Sequence, residues 1–472
     1  VLDSGRARAC IDRTWDHDVL PALEDYIRIP NVSVAFDPDW EAHGHMARAV
    51  EVVRGWCAAR PITGATVRLH ELPGRTPLVV VDVPALGGPA DDTVLLYGHL
   101  DKQPPFTGWR DGLDPWTPVL EGERLYGRGS ADDGYAAFSA LTALEAVQAA
   151  EGAHARCVVV IEASEESGSI DLPAHLAALG DDVIGTPSLV IGLDSSCGDW
   201  EHFWLTTSLR GIVQLELTVR VLTEGVHSGS AGGVVPSSFR VLRRLLDRIE
   251  DPDTGELLVP ALHVPLPEER ARQIEEVAPF LADLLDRYPF ADAVRPQHDD
   301  LARTLAARTW EPALEVIGLD GAPAPRDAGN VLRPWTTAKL SLRVPPGVDA
   351  RAAGEEVARV LTDAPPYGAH VTCEVVAAES GWAAPPTAPW LVDALDAAAR
   401  AAFGGPVRAN GEGGTIPFMG MLGERFPDAQ FVITGVLGPG ANAHGPNEFL
   451  DLPTARRVTH AVAHLVDAHA RR

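Results

Sequence analysis

Four short β-branched runs constrain this chain more than any other feature: Leu78–Val83, Thr93–Tyr97, Arg156–Ile161 and Ser188–Leu193. A helical stretch, Ala136–Ala150, lies between two of them. Near-continuous apolar strands alternating with helices belong to an α/β sheet covered on both faces, a three-layer arrangement. Apolar periodicity adds an opening helix near Arg8–Ile27, stopped by Pro30, and a second near Gly44–Ala59. From Gly211 the pattern changes to alternation through Val213, Leu215, Leu217 and Val219, as in a half-exposed antiparallel strand. Helices near Ser238–Ile249, Glu268–Arg287 and Ala350–Thr362 and strands at Ala338–Val344 and His370–Val376 complete a two-layer α+β block. After the Pro-rich break at Pro385–Pro389 the α/β pattern returns, with a helix near Leu391–Ala402, a strand at Gln430–Thr434 and a last helix from about Pro453. At 472 residues the chain exceeds the roughly 250–300 at which one core stops growing. The expected architecture is one α/β domain, residues 1–209 and 379–472, interrupted by a smaller α+β domain, 210–378.

The charge balance narrows the partners. Thirty-nine basic against 66 acidic residues give a net charge of −27, a field that repels nucleic acid and acidic membranes. The apolar runs are strand-length, far short of the roughly 20 residues that cross a bilayer. Asp3, Arg6, Arg8 and Asp12 near the start leave no apolar signal-peptide segment. Cys10, Cys57, Cys157, Cys197 and Cys373 are odd in number and scattered, which reads as reduced thiols in a cytoplasmic protein.

Five segments set an acid or a histidine just after an expected strand or in a Gly-rich loop: His99-Leu100-Asp101, Asp132-Asp133, Glu165-Glu166, Asp194 and Ala443-His444-Gly445. Ligands in open α/β sheets collect at the carboxyl ends of strands. Two imidazoles and several carboxylates without cysteine suit borderline or hard divalent ions. A carboxylate shared by two ions would build a two-metal hydrolytic site. Other hydrolytic chemistries lack their motifs. His70-Glu71 has no second histidine at metalloprotease spacing, and no GxSxG elbow is present. His460 and His464, one turn apart without a companion glutamate, read as surface or helix-packing residues.

Three strings carry a resemblance: Tyr97-Gly98-His99-Leu100-Asp101-Lys102-Gln103-Pro104, Tyr126-Gly127-Arg128-Gly129-Ser130-Ala131-Asp132-Asp133 and Glu162-Ala163-Ser164-Glu165-Glu166-Ser167-Gly168-Ser169. They resemble the signatures of carnosinase-type dipeptidases, in the co-catalytic metallopeptidase family that also holds glutamate carboxypeptidase, aminoacylase and succinyl-diaminopimelate desuccinylase. The resemblance runs from about residue 10 to the C-terminus. It implies a catalytic α/β domain, a lid and dimerisation domain, and two divalent ions per chain, Zn or Mn with Co also suitable. By the same resemblance His99 and Asp194 hold one ion, Glu166 and His444 the other, and Asp132 bridges them. Glu165 is the implied general base, and Asp101 orients the His99 imidazole. Gly225-Val226-His227-Ser228-Gly229 resembles the loop whose histidine crosses a homodimer interface to polarise the scissile carbonyl. Arg343 matches an arginine that grips a substrate carboxylate, Gly414 and Thr415 match a substrate-contacting loop, and Asn330 is a further candidate for facing the site.

Three departures bear on the substrate. Gly134 and Tyr135 follow Asp133 where the family often has Lys. Val235 precedes Pro236 where Asn is common, and Ser195 follows Asp194 where Asn is frequent. The leading expectation is hydrolysis of the amide bond of a small peptide. An N-acyl amino acid deacylase and a non-catalytic binding homologue are the alternatives.

Overall fold

The computed structural model describes residues 2–472. Each of the four β-branched runs is a strand. A hairpin of β1 (Thr66–His70) and β2 (Leu78–Val83) is followed by β3 (Thr93–His99), β4 (Arg156–Glu162) and β5 (Pro187–Gly192). With Gln430–Ile433 they form one six-stranded sheet in the order β1-β2-β4-β3-β5-(Gln430–Ile433). Pairing is parallel from β4 to the Gln430–Ile433 edge and antiparallel at β1 and β2.

All seven residues of β3 are buried, which suits only an interior position. Side chains alternate between two apolar layers. Val79, Val81, Leu96, Val159 and Ile191 pack with the helices Ala136–Ala149, Leu452–His469, Pro389–Phe403 and His45–Ala58. Leu78, Val80, Leu95, Tyr97 and Val160 face the helices Leu172–Ile184 and Pro417–Arg425. This is the three-layer α/β arrangement expected from the runs.

The alternating segments build the second unit. β6 (Gly211–Arg220), β7 (Ala313–Asp320), β8 (Trp335–Val344) and β9 (His370–Glu379) make an antiparallel sheet in the order β7-β8-β6-β9. One face supplies Val213, Leu215, Leu217, Val219, Ala338, Leu340 and Leu342 to a core closed by the helices Ser238–Leu246 and Ala350–Thr362. The other face is left partly open, which accounts for the alternation. A further cluster joins Cys197 and Trp204 to Ile274, Val277, Leu281, Leu284 and Leu305, so the stretch between Ser238–Leu246 and β7 also packs against the separate three-stranded sheet that holds Trp204.

Local chemistry explains where elements differ from expectation. The opening helix runs from Ser4 to Ile27 but widens into a π-type turn at Trp15–Val19, where the Leu20 N–H reaches back to the Trp15 carbonyl. Pro21, lacking an N–H, directly follows this irregularity. The charged helix stops at Val277 and continues as short 3₁₀ turns, the first of which carries Pro279. β7 was not expected. Only Leu314 of it is buried, and a bulge between Val316 and Gly318 breaks its alternation. No helix among the described residues is long and apolar enough to cross a membrane.

Candidate active site

The parallel strands end on one side of the sheet, and four of the five chemical segments begin there or beside it. His99 closes β3, Glu165 and Glu166 form a 3₁₀ turn just beyond β4, and Asp194 lies two residues past β5. Asp132 sits in the loop before the helix Ala136–Ala149, next to a cis peptide bond to Asp133. Gly98 lets that loop approach, because a Cβ there would lie 2.8 Å from Asp133 Oδ2 and 2.4 Å from Ala136 Cβ. The departure at Gly134 has a comparable cause. A side chain there would meet the Gly129 carbonyl oxygen at 2.2 Å and the Tyr26 ring at 2.3 Å. Tyr135 is committed too, donating its hydroxyl to the Leu193 carbonyl just before Asp194.

These side chains converge. His99 Nε2 lies 3.3 Å from Asp132 Oδ1, 3.7 Å from Asp194 Oδ2 and 3.9 Å from Glu165 Oε2. His444 Nε2 lies 3.0 Å from Asp132 Oδ2 and 3.2 Å from Glu166 Oε2. Asp132 therefore turns one oxygen to each histidine. Among the described residues two sets have donor atoms close enough to share an ion, His99 with Asp132 and Glu166, and His99 with Glu165 and Asp194. Ring nitrogen Nδ1 of His99 faces the Asp101 carbonyl oxygen at 3.1 Å, an acceptor, so Nδ1 donates there and Nε2 is the atom left to meet a cation. Among the described residues, His99 Nε2 and Glu166 Oε1 are buried without a hydrogen-bond partner. Such groups are costly unless a cation completes them. The donor set thus fits divalent ions.

Electrostatics give the same picture from the proton's side. Burial, then Asp132, pushes the Glu166 carboxyl up to about 7. Burial also raises Asp194 to about 6, against the pull of His99. Glu165 is driven well above the carboxylate range by burial and by Asp194. Burial opposes a charge on His444, but hydrogen bonds to Asp132 and Glu166 prevail and raise it to about 11. A crowded set of carboxylates that must hold protons to coexist is a set that cations can replace.

The surrounding shell includes groups that motif reading left without a role. Both Asp101 oxygens accept backbone N–H groups, from Glu165 at 3.1 Å and Glu166 at 3.0 Å, so this carboxylate holds the glutamate turn as well as lying 3.4 Å from His99 Nδ1. Gln103 donates to Glu166 Oε2 at 2.6 Å. Lys102 is fully buried and donates to the carbonyls of Tyr26, Ile27 and Ile29, capping the end of the opening helix. Position inside the quoted strings was the available signal for Gln103 and Lys102. Glu448, whose Oε1 accepts the Asp132 N–H at 3.1 Å, carries no such local signal.

The second unit brings some expected residues together and leaves others apart. Arg343, on β8, donates from Nη1 to Thr415 Oγ1 at 3.1 Å, and Thr415 in turn donates to the Arg210 carbonyl. Gly414 is exposed beside them. Burial, followed by the charges of Arg343 and Arg308, lowers Arg210 to about 10, so guanidinium groups gather at this corner, of which Arg308 is paired with Glu412 at 3.1 Å. His227 and Asn330 lie at a separate two-stranded ribbon joining distant parts of the chain, where His227 pairs with Val331 and the Ser228 N–H reaches the Asn330 carbonyl at 2.9 Å. Both are exposed, and the His227 ring accepts from Gly229 N within its own loop. Among the described residues neither makes a hydrogen bond or ion pair with the His99–His444 cluster. His460 and His464 are elsewhere, sharing the Ser4 hydroxyl at 3.2 and 3.0 Å in a helix-packing role.

A three-layer α/β sheet with two imidazoles and a set of mostly buried carboxylates at its carboxyl edge has the make-up of a metal-dependent hydrolase. Residues 95–468 match peptidase family M20/M25/M40. The chain is 31% identical to the cysteinylglycine-S-conjugate dipeptidase of Corynebacterium striatum, over 79% of this chain and 80% of that protein. It is 27% identical to the Beta-Ala-His dipeptidase of Homo sapiens over 61% of this chain, a match that spans 57% of the human protein's length. It belongs to this peptidase family and is an enzyme, a metallopeptidase. The fold is shared with the dipeptidase Dug1p of Saccharomyces cerevisiae, with a TM-score of 0.76, 20% identity and coverage of 100% of this chain and 99% of that one. Human carnosine dipeptidase 1 gives a TM-score of 0.75 at 22% identity, covering 99% of each chain.

Proposed function

We propose that the protein hydrolyses the amide bond of dipeptides, using two divalent ions held by His99, Asp132, Glu166, Asp194 and His444. One observation carries this reading: the two oxygens of Asp132 face the two histidines, one each, at 3.3 and 3.0 Å. His99 and Asp194 serve the first ion, Glu166 and His444 the second, and Asp132 both. When bound, such ions, Zn, Mn or Co, would lower the pKa of a water and polarise the scissile carbonyl. Glu165 takes the water's proton as the C–O bond forms and returns it to the departing amine as the C–N bond breaks. Asp101 keeps Glu165 and His99 in place. Arg343, with Thr415 and the Gly414 backbone, receives the substrate's terminal carboxylate, which the gathering of guanidinium groups around Arg210 favours.

The reading includes a homodimer. His227 is an exposed imidazole with no partner in its own chain's ligand cluster, and β7 is a sheet edge exposing Val316, Ile317 and Leu319. A second copy covering this unit brings His227 to the neighbouring site, where it donates to the developing oxyanion. Residues 210–378 form the lid and dimerisation unit of this scheme, and residues 1–209 with 379–472 the catalytic one. Five unpaired cysteines fit a cytoplasmic setting. An N-acyl amino acid deacylase would use the same centre, but the curated relatives named above are dipeptidases.

The experiment compares the metal-stripped protein reloaded with Zn, Mn or Co on a dipeptide panel and on N-acetyl and N-succinyl amino acids. Dipeptides are expected to turn over, and Glu165→Gln is expected to lose about 10²–10⁴-fold in kcat while retaining its metal. Turnover confined to the N-acyl substrates, or a Glu165→Gln enzyme with near-normal kcat, rejects the proposal.

A further inference from the structure

His444 stands on an unusual support. Its side chain is 58% exposed, whereas those of Asp132 and Glu166 are 7% and 3% exposed. Its loop carries three non-glycine residues with left-handed backbone, Asn442, His444 and Asn447. A ligand on an exposed, irregular loop needs an anchor to meet its partners at 3.0 Å.

Directly below lies a buried ion pair, Arg128 with Glu448, with side chains 1% and 0% exposed and an Nη1–Oε2 distance of 2.8 Å. Its remaining bonds all run between two loops. Glu448 Oε2 accepts from Gly129 N at 3.0 Å, and Oε1 accepts from Ala131 N and Asp132 N, each at 3.1 Å. Arg128 Nη2 donates to the carbonyl of Gly445, the residue after His444, at 2.6 Å. The backbone adds Gly127 N to the Glu448 carbonyl at 3.0 Å. One carboxylate thus accepts four donors, one of them the amide of Asp132, while its guanidinium partner holds the residue next to His444.

We infer that Arg128 and Glu448 are positioning residues that clamp the Asp132 loop to the His444 loop and set the geometry of one metal position, the one His444 shares with Glu166. Asparagine or glutamine in place of Glu448 supplies one carbonyl oxygen and turns N–H groups toward donors already present, so the clamp depends on a carboxylate. The His99–Asp194 side makes no bond to the pair among the described residues and is expected to feel little of its loss. The inference rests on the proposed metal roles of Asp132 and His444.

The test titrates metal-stripped protein with Mn²⁺ by calorimetry, following the two binding steps without any assay of turnover. His444→Ala is the control that identifies the step belonging to His444. Glu448→Gln is expected to weaken that same step by about 10–100-fold and the other, which shares Asp132, by several-fold less. Arg128→Lys keeps the charge but loses the fork that reaches Gly445, and a smaller loss confined to the same step is expected. A purely structural ion pair would lower thermal stability while leaving both steps intact, or weaken both equally; either result overturns the inference. If Glu448→Gln does not fold, Arg128→Lys decides by the same criterion. If His444→Ala leaves both steps intact, the metal reading itself has failed, a result distinct from failure of the clamp.

Discussion

Replacing Glu166 by glutamine in the metal-stripped protein exposes the energy stored in the carboxylate cluster. The native Glu166 carboxyl lies at about 7 because burial and then Asp132 disfavour its charge, against 4.5 when it is unperturbed. Between these values the native group keeps a proton that the unfolded one has released. The native state then binds more protons than the unfolded state, so stability is greatest below pH 4.5 and is lost as the pH rises through about 7. That difference amounts to about 3 kcal/mol, of which about 2.5 falls between pH 5 and 8. Glutamine carries no such cost. It also weakens the bond from His444 at 3.2 Å, offsetting about 1 kcal/mol. Urea unfolding followed by tryptophan fluorescence, with metal removed, is expected to show wild type losing about 2.5 kcal/mol more than Glu166→Gln from pH 5 to 8, since the weakened His444 bond lowers the variant equally at both ends. Parallel stability curves for the two proteins refute the argument, because they mean that Glu166 is not strained by its neighbours. Loading with metal is expected to remove or reverse the difference, since the ion rewards the ionised carboxylate.

Three further outcomes follow from the geometry. Arg343→Lys is expected to lower kcat/KM on a dipeptide by about 10-fold or more, chiefly through KM, while a substrate with an amidated C-terminus changes little; an equal loss on both substrates argues against carboxylate recognition. Mixing Glu165→Gln with His227→Ala after dissociation and reassociation is expected to restore part of the activity, because in the heterodimer one site has its own Glu165 and the partner's His227; heterodimers that stay inactive reject the exchange. Leu340→Ala empties a fully buried position in the core between the smaller sheet and its helices, and is expected to cost about 2–5 kcal/mol in urea unfolding; a loss below about 1 kcal/mol shows that the core collapses to fill the space.

The central strands were legible because their signal is local. β2 is a run of leucine and valine broken only by Asp82, and β6 alternates residue by residue between a buried and an open face. The segments bearing His99, Asp132, Glu165, Glu166, Asp194 and His444 could be picked out for a related reason: each follows a strand or lies in a Gly-rich loop. β7 escaped notice because an edge strand with one buried residue and a bulge has no period to read.

What the sequence by itself determined is therefore the order of the elements, the layering of the main sheet and which imidazoles and carboxylates stand as candidates at its carboxyl edge. Tertiary structure alone decided how those donors are held. The oxygens of Asp132 divide between two histidines, one 33 residues before it and the other 312 after it. Glu448 meets the amide of Asp132 across 316 positions, and Gln103 reaches Glu166 across 63. Asp101 supports the glutamate turn rather than only the histidine beside it in sequence. Such pairings leave no mark in local periodicity, because hydrogen bonds and charge compensation at the carboxyl edge are satisfied by whatever residue the folded sheet brings near.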